Sequence, residues 1–137
     1  VLETIRAQGR YTSLDAALPI SDVAAFLDRA RPITASAGLR AMLVGHLGDG
    51  NIHYSCHTKD ETLLPALRAE IDALAIKMNG SFSAEHGVGL SKLSAMARHT
   101  DPVAQDVMRA IKTALDPKGT LNPGKTLPRP SGASAAE

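Results

Sequence analysis

Two short stretches carry most of the information in this chain: GHLGDGNIH at residues 45–53 and SAEHGVG at residues 83–89. In the first, Asp49-Gly50 stands between two apolar runs. That pattern is typical of a tight hairpin, because such turns need residues that accept positive φ. Counting outward from this dipeptide places His46 opposite His53. Directly opposed residues hold their Cβ atoms about 4.5–5.5 Å apart, so the pattern predicts two imidazoles that can share a metal ion.

The composition favours an ordinary globular domain. The chain has 137 residues, of which 44% are hydrophobic, and its net charge is +1. Lysine and arginine are dispersed along the sequence, which argues against a nucleic-acid partner. The single cysteine, Cys56, excludes an intramolecular disulfide. No apolar run approaches the roughly 20 residues of a membrane span, and no signal peptide is visible. We therefore expect a cytoplasmic protein, with peripheral attachment to the inner membrane left open.

Hydrophobic periodicity predicts helices alternating with the two hairpin strands. Pro32 is expected to end or kink the first helix, and residues 128–137 lack apolar anchors and are expected to form a mobile tail. The predicted elements are a helix over 22–31, strands over 39–44 and 52–57, and helices starting near residues 64, 90 and 103. This order indicates an α+β fold with a mainly antiparallel sheet.

The two faces of the predicted hairpin differ in character. Alternation along a strand puts every second residue on the same face. One face carries Met42, Val44, His46, His53, Ser55 and His57, and the other, expected to face the core, carries Leu43, Ile52, Tyr54 and Cys56. The polar face is therefore the candidate site, with His57 a bystander at its far end.

Glu85 is the expected third metal ligand beside His46 and His53. Two histidines and one glutamate form a known catalytic zinc set that leaves an open position. The alternatives are a hydrogen-bonded pair of surface histidines and, for Glu85, a solvated acid near a helix start.

His86 is expected to act as a general base beside the metal. In an extended segment it points away from Glu85, and an imidazole changes charge at about pH 6.5, so it can accept a proton at neutral pH. The alternative is a supporting or merely buried histidine. The glycine that follows, Gly87, permits unusual backbone angles and close approach of a cofactor.

Three blocks, in order, resemble the C-terminal substrate domain of FAD-linked oxidases of the vanillyl-alcohol-oxidase type. The blocks are residues 45–53, residues 83–89 with Lys92, and residues 108–125, which end in Leu121-Asn122-Pro123-Gly124-Lys125. By these motifs, close relatives would be D-lactate dehydrogenases, glycolate oxidase subunits and D-2-hydroxyglutarate dehydrogenases. The resemblance implies a ferredoxin-like α+β domain over residues 1–127.

The resemblance implies a flavoenzyme that oxidises a small 2-hydroxy acid to the 2-oxo acid. A divalent metal, expected to be zinc, would be held by His46, His53 and Glu85, and His86 would take the hydroxyl proton. Asn122 and Gly87 would lie toward the flavin, and Ser55 and Lys92 would contact the substrate. FAD itself would be bound mainly by an N-terminal domain, the electron acceptor is unknown, and a homodimer is left open.

Two departures from the family pattern matter. Nothing in the sequence looks like an FAD-binding domain, so we expect a fragment that is inactive alone. D-2-hydroxyglutarate relatives tend to carry Asn where this chain has Ser55, which favours a smaller or different 2-hydroxy acid. Two rival functions remain at this point. One is a self-sufficient zinc hydrolase that uses the same residues, and the other is a non-catalytic metal-binding domain.

Overall fold

The computed structural model describes Glu3, Ala7 and residues 11–129. Contacts divide the chain between His86 and Gly87 into two compact units. The first contains β1 (Tyr11–Ala17), α1 (Val23–Ser36), β2 (Arg40–His46), β3 (Asn51–His57) and α2 (Leu64–Lys77), with 3-10 turns at Ile20–Asp22 and Glu61–Leu63. The second contains α3 (Gly89–His99) and α4 (Pro102–Leu115).

The three strands form one antiparallel sheet in the order β1-β3-β2. After α2 the chain returns to the outer edge of β1, where Ala17 and Ser81 exchange both backbone hydrogen bonds at 3.1 and 2.8 Å. The order βαββα, followed by a short extended piece beside β1, is the ferredoxin-like arrangement. The predicted α+β class with an antiparallel sheet is confirmed.

The core lies between one face of the sheet and the two helices of the first unit. Leu14 and Tyr54 are fully buried on neighbouring strands. Phe26 of α1 packs edge-on against Tyr54 with ring centroids 6.5 Å apart, and Ile71 of α2 belongs to the same cluster. The predicted core positions Ile52, Tyr54 and Cys56 are confirmed, whereas Leu43 is 39% exposed. Both helices therefore cover one face and leave the histidine face to the site.

The predicted pairing of His46 with His53 is wrong by two residues. His46 pairs with Asn51, and His53 pairs with Val44. The Asp49 N–H donates to the His46 carbonyl, and the Asp49 carboxylate accepts the N–H of Asn51. The turn therefore spans four residues instead of two. Because the shift is an even number, both histidines keep the predicted face.

Pro32 does not end the first helix, which continues to Ser36. The buried stripe of α1 runs through Phe26 and Ala30 to Thr34, and the Thr34 hydroxyl lies 3.0 Å from that of Tyr54. Pro32 itself is on the exposed side, where water can satisfy the carbonyl that its missing N–H leaves without a partner. The packing of residues after Pro32 therefore outweighs the free-energy cost of a proline inside the helix.

The predicted helix over residues 103–115 is present, and Asp101 caps it by accepting the N–H groups of Val103 and Ala104. Its apolar residues are nevertheless exposed. They are Val103, Val107, Met108, Ile111 and Leu115, each at least 41% exposed. In the predicted tail, the Pro128 carbonyl accepts a hydrogen bond from Arg109. Residues 130–137 lie outside the described part, so a mobile tail there stays a prediction.

Among the described helices, none has the length and apolar character needed to cross a membrane.

Gly50 should be essential for the hairpin loop to dock. Its φ is +74°, and a Cβ there would overlap the carbonyl oxygen of Leu18, whose N–H donates to the Gly50 carbonyl. We expect Gly50→Ala to lower the free energy of unfolding by about 2 kcal/mol or more, measured by chemical denaturation. The matched control is Gly48→Ala, since a Cβ at Gly48 meets no described atom within 4 Å. Equal effects of the two variants would contradict the docking argument.

Candidate functional site

Asp15 is a buried acid in the middle of β1, only 3% exposed. Its Oδ2 atom accepts the backbone N–H groups of Ala84, Glu85 and His86 at 3.1–3.2 Å. The Asp15 carbonyl also accepts from Ala84 at 3.1 Å. Hydrogen bonds to a carboxylate are stronger than those between neutral groups, so this one side chain anchors the segment that carries Glu85 and His86.

His53 faces Asp15 directly in the register of β1 and β3. Its Nδ1 lies 3.8 Å from Asp15 Oδ1, and its Nε2 lies 3.0 Å from Glu85 Oε1. His86 is held in the same way, with Nδ1 at 3.3 Å from Asp15 Oδ2 and Nε2 at 3.4 Å from Glu85 Oε1. The carboxylate of Asp15 therefore lies behind both imidazoles, while both Nε2 atoms converge on Glu85.

These four side chains can together supply donors for a metal ion. Their potential ligand atoms all lie within 4.8 Å of one another. Exposure rises across the group, from buried Asp15 through His53 to Glu85 at 46% and His86 at 61%. A set of nitrogen and carboxylate donors with one solvent-facing side is what a catalytic zinc site requires. In metal sites a carboxylate commonly lies behind a ligating imidazole and supports it, and Asp15 lies behind both imidazoles here.

The structure brings together three of the predicted site residues, His53, Glu85 and His86. His46 is close but outside the group of four. Its ring centroid is 5.5 Å from that of His53, and it is exposed at the end of β2. His46 lies diagonal to His53, not opposite it, because His46 pairs with Asn51 and His53 pairs with Val44.

Ser55 lies one step beyond His53 on the same face and is 2% exposed. Its hydroxyl donates to Ser13 at 3.3 Å, so it is partnered within the sheet. Gly87 has φ +68°, and a Cβ there would meet no described atom within 4 Å. Steric crowding therefore does not exclude a side chain at this position, but the positive φ favours glycine.

Lys92 and Asn122, like Gly87, belong to the second unit. Lys92 is buried in α3. Asn122 has φ +47° in the loop after α4. That loop is organised by Asp116, whose carboxylate pairs with Lys112 and accepts the N–H groups of Leu121 and Thr120. The Lys112 ammonium and these N–H groups hold the pKa of Asp116 well below its usual range.

Sequence reasoning missed Asp15. The local signal is weak, because an acid between Leu14 and Ala16 also fits a strand with one face in solvent. Its partners lie about 70 residues away in the chain. Nothing local to residues 11–17 identifies them.

Among families of known proteins, the one described as "FAD linked oxidases, C-terminal domain" matches residues 3–126 of this chain. This chain belongs to that family.

Three curated relatives illustrate its range. An uncharacterized FAD-linked oxidoreductase of Mycobacterium tuberculosis is 40% identical over 119 residues, which are 87% of this chain and 26% of that protein. Rat mitochondrial D-2-hydroxyglutarate dehydrogenase is 37% identical, covering 93% of this chain and 24% of the relative. Glycolate oxidase subunit GlcD of Bacillus subtilis is 37% identical, covering 81% of this chain and 25% of the relative. The chain spans about a quarter of the length of the curated relatives it matches. The family resemblance noted in the sequence motifs is confirmed.

Replacing Asp15 by asparagine should loosen the 84–86 segment while keeping the side-chain shape. We expect Asp15→Asn to cost about 2 kcal/mol, because a charged acceptor of three N–H groups becomes a neutral one. Hydrogen exchange of the amides of Ala84, Glu85 and His86 should accelerate. Asp101→Asn is the control, since that exposed cap also accepts two N–H groups and asparagine caps well. Unchanged exchange at residues 84–86 would contradict the anchoring role.

Proposed function

We propose that this chain is the substrate- and metal-binding domain of an FAD-dependent enzyme that oxidises a small 2-hydroxy acid to the 2-oxo acid. The observation that carries the proposal is the convergence of His53, Glu85 and His86 over a buried Asp15. Relatives named for glycolate and for D-2-hydroxyglutarate support the substrate class.

His53 and Glu85 are the core of the proposed metal site, with His46 as the third ligand. The 3.0 Å approach of His53 Nε2 to Glu85 Oε1 supports the first pair. The neighbouring ring of His46, exposed at the strand end, supports the third. A bound divalent ion, zinc by the preference of this donor set, would supply Lewis acidity to the substrate's hydroxyl and carboxylate oxygens.

His86 is the proposed general base. Its Nδ1 faces the Asp15 carboxylate at 3.3 Å, which favours a proton on Nδ1 and leaves the lone pair on Nε2. The Nε2 atom faces the same space as Glu85 and His53. It can therefore take the proton of a substrate hydroxyl as the hydrogen on the hydroxyl-bearing carbon leaves as hydride. The flavin, held mainly by the N-terminal domain, would supply the acceptor for that hydride.

Ser55 supports a small substrate. Its hydroxyl is buried and donates to Ser13, so it is poorly disposed to recognise a second carboxylate at the end of a long substrate. Glycolate or D-lactate therefore fits the proposal better than D-2-hydroxyglutarate. Lys92, Gly87 and Asn122 are proposed to contact substrate and flavin, on the motif match alone.

The decisive experiment uses the full-length protein and its flavin spectrum. We expect a yellow protein whose flavin absorbance is bleached anaerobically by glycolate or D-lactate. His86→Ala should slow bleaching by about 10²–10⁴-fold, the range for loss of a general base. His99→Gln, a histidine of α3, is the matched control and should leave the rate unchanged. A colourless protein would refute the proposal and favour the zinc hydrolase.

Metal analysis distinguishes His46 from His86 as the third metal ligand beside His53 and Glu85. We expect about one bound divalent ion per chain, lost in His46→Ala, His53→Ala and Glu85→Ala but retained in His86→Ala. A catalytic site typically has three protein ligands, so loss of any one should cost most of the affinity. Retention of metal in His46→Ala with loss in His86→Ala would instead make His86 a ligand and overturn its role as base.

A further inference from the structure

The candidate site is covered from the β1 side of the sheet. Ser83 bridges to Asp15 at the outer edge of β1, and the backbone N–H groups of Glu85 and His86 donate to the Asp15 carboxylate. In the order β1-β3-β2, strand β2 lies on the other side of His53. A substrate held at His53, Glu85 and His86 therefore finds the β1 side occupied and extends over β2.

Two apolar side chains of β2 lie on the same face of the sheet as His53. Val44 pairs with His53, and Met42 pairs with Ser55, two residues further along β3. Directly opposed residues have Cβ atoms about 4.5–5.5 Å apart, so Val44 lies directly beside His53. Val44 and Met42 are both half-buried, so packing restrains them while part of each side chain stays accessible. Together they form an apolar patch beside the site.

The sheet positions around the apolar patch carry no lysine or arginine. These positions form two rows of cross-strand neighbours, Asp15, His53 and Val44 in one row and Ser13, Ser55 and Met42 in the next. Arg40 is four residues from Val44 along β2, a distance of about 13 Å at the usual rise of a strand. A carboxylate on the far end of a substrate would therefore have no ion-pair partner at these positions.

Small 2-hydroxy acids differ from one another in the side chain on the hydroxyl-bearing carbon. In the function proposed above, the substrate's carboxylate and hydroxyl are held at the metal site, so this side chain is the part left to lie over the apolar patch. A methyl or ethyl group is stabilised when apolar contact removes it from water. Glycolate carries only hydrogen at that position and gains no such contact.

We propose that Val44 and Met42 determine substrate specificity by contacting the side chain of the 2-hydroxy acid. The substrates are then acids with a short aliphatic side chain, such as D-lactate and D-2-hydroxybutanoate, in preference to glycolate, D-glycerate and D-2-hydroxyglutarate. This inference rests on the function proposed above.

The first test compares kcat/KM for pairs of substrates in the full-length flavoprotein. D-2-hydroxybutanoate and D-glycerate are nearly equal in size, but their side chains end in a methyl group and a hydroxyl group respectively. We expect D-2-hydroxybutanoate to be favoured over D-glycerate, and D-lactate over glycolate, by about tenfold or more in each pair. Each ratio is measured on one preparation, so the fraction of folded enzyme does not affect it.

Val44→Thr keeps the β-branched shape and the preference for strands but replaces a methyl group by a hydroxyl group. It should lower the ratio of D-2-hydroxybutanoate to D-glycerate about fivefold, and Met42→Gln, which keeps the length of the side chain, should act in the same direction. Leu43→Thr is the matched control. Leu43 lies between these two residues on β2 but pairs with Tyr54 on the core face, so its replacement should leave the ratio unchanged.

The second test detects the contact without turnover. The probe is 2-oxobutanoate, the product expected from D-2-hydroxybutanoate, added to full-length protein with isotope-labelled valine methyl groups. We expect a nuclear Overhauser effect between the ethyl group of 2-oxobutanoate and the Val44 methyl groups, whose signals are identified by their absence from the Val44→Thr spectrum.

The outcomes distinguish this inference from the function on which it rests. Oxidation of glycolate as readily as D-lactate, a substrate ratio that Val44→Thr leaves unchanged, or the absence of the Overhauser effect at Val44 would overturn the specificity role and leave the proposed function standing. Failure of all these 2-hydroxy acids to bleach the flavin would overturn both.

Discussion

The buried carboxylate of Asp15 is the constraint on which the candidate site depends. Removing a carboxylate from water is costly unless charges or hydrogen bonds replace the lost hydration. Here three consecutive backbone N–H groups, from Ala84 to His86, converge on one oxygen. Because those donors belong to the residues that carry the site, the interaction that makes burial of the acid tolerable also sets the position of Glu85 and His86.

The two faces of the sheet were predictable from sequence, whereas the register was not. Alternation along β3 assigns Ile52, Tyr54 and Cys56 to the core and His53 to the opposite face, whichever turn closes the hairpin. The turn type depends on where Gly50 docks, and its contact with Leu18 joins parts of the chain 32 residues apart. The local Asp-Gly pattern carries no information about that contact. The predicted cross-strand partner of His53 was therefore two residues away from the observed one.

Long-range packing also explains the other differences from expectation. The local preference of Pro32 to end a helix was outweighed by the buried stripe that continues to Thr34 and its contact with Tyr54. Asp15 was overlooked because its partners come from the other end of the unit. In both cases the deciding contact joins residues that are distant in sequence but adjacent across the sheet or its edge.

The order of exposure within the site has a chemical consequence. Packing limits the motion of Asp15 and His53, whereas His86 is mostly exposed and held chiefly through Asp15. An exposed imidazole has many rotamers open to it, and its contact with a fixed carboxylate favours those that direct Nε2 toward Glu85. The most accessible residue of the site thus takes its orientation from the most buried one. In the function proposed above, this arrangement lets a substrate approach from solvent and meet a base whose proton-accepting atom faces it.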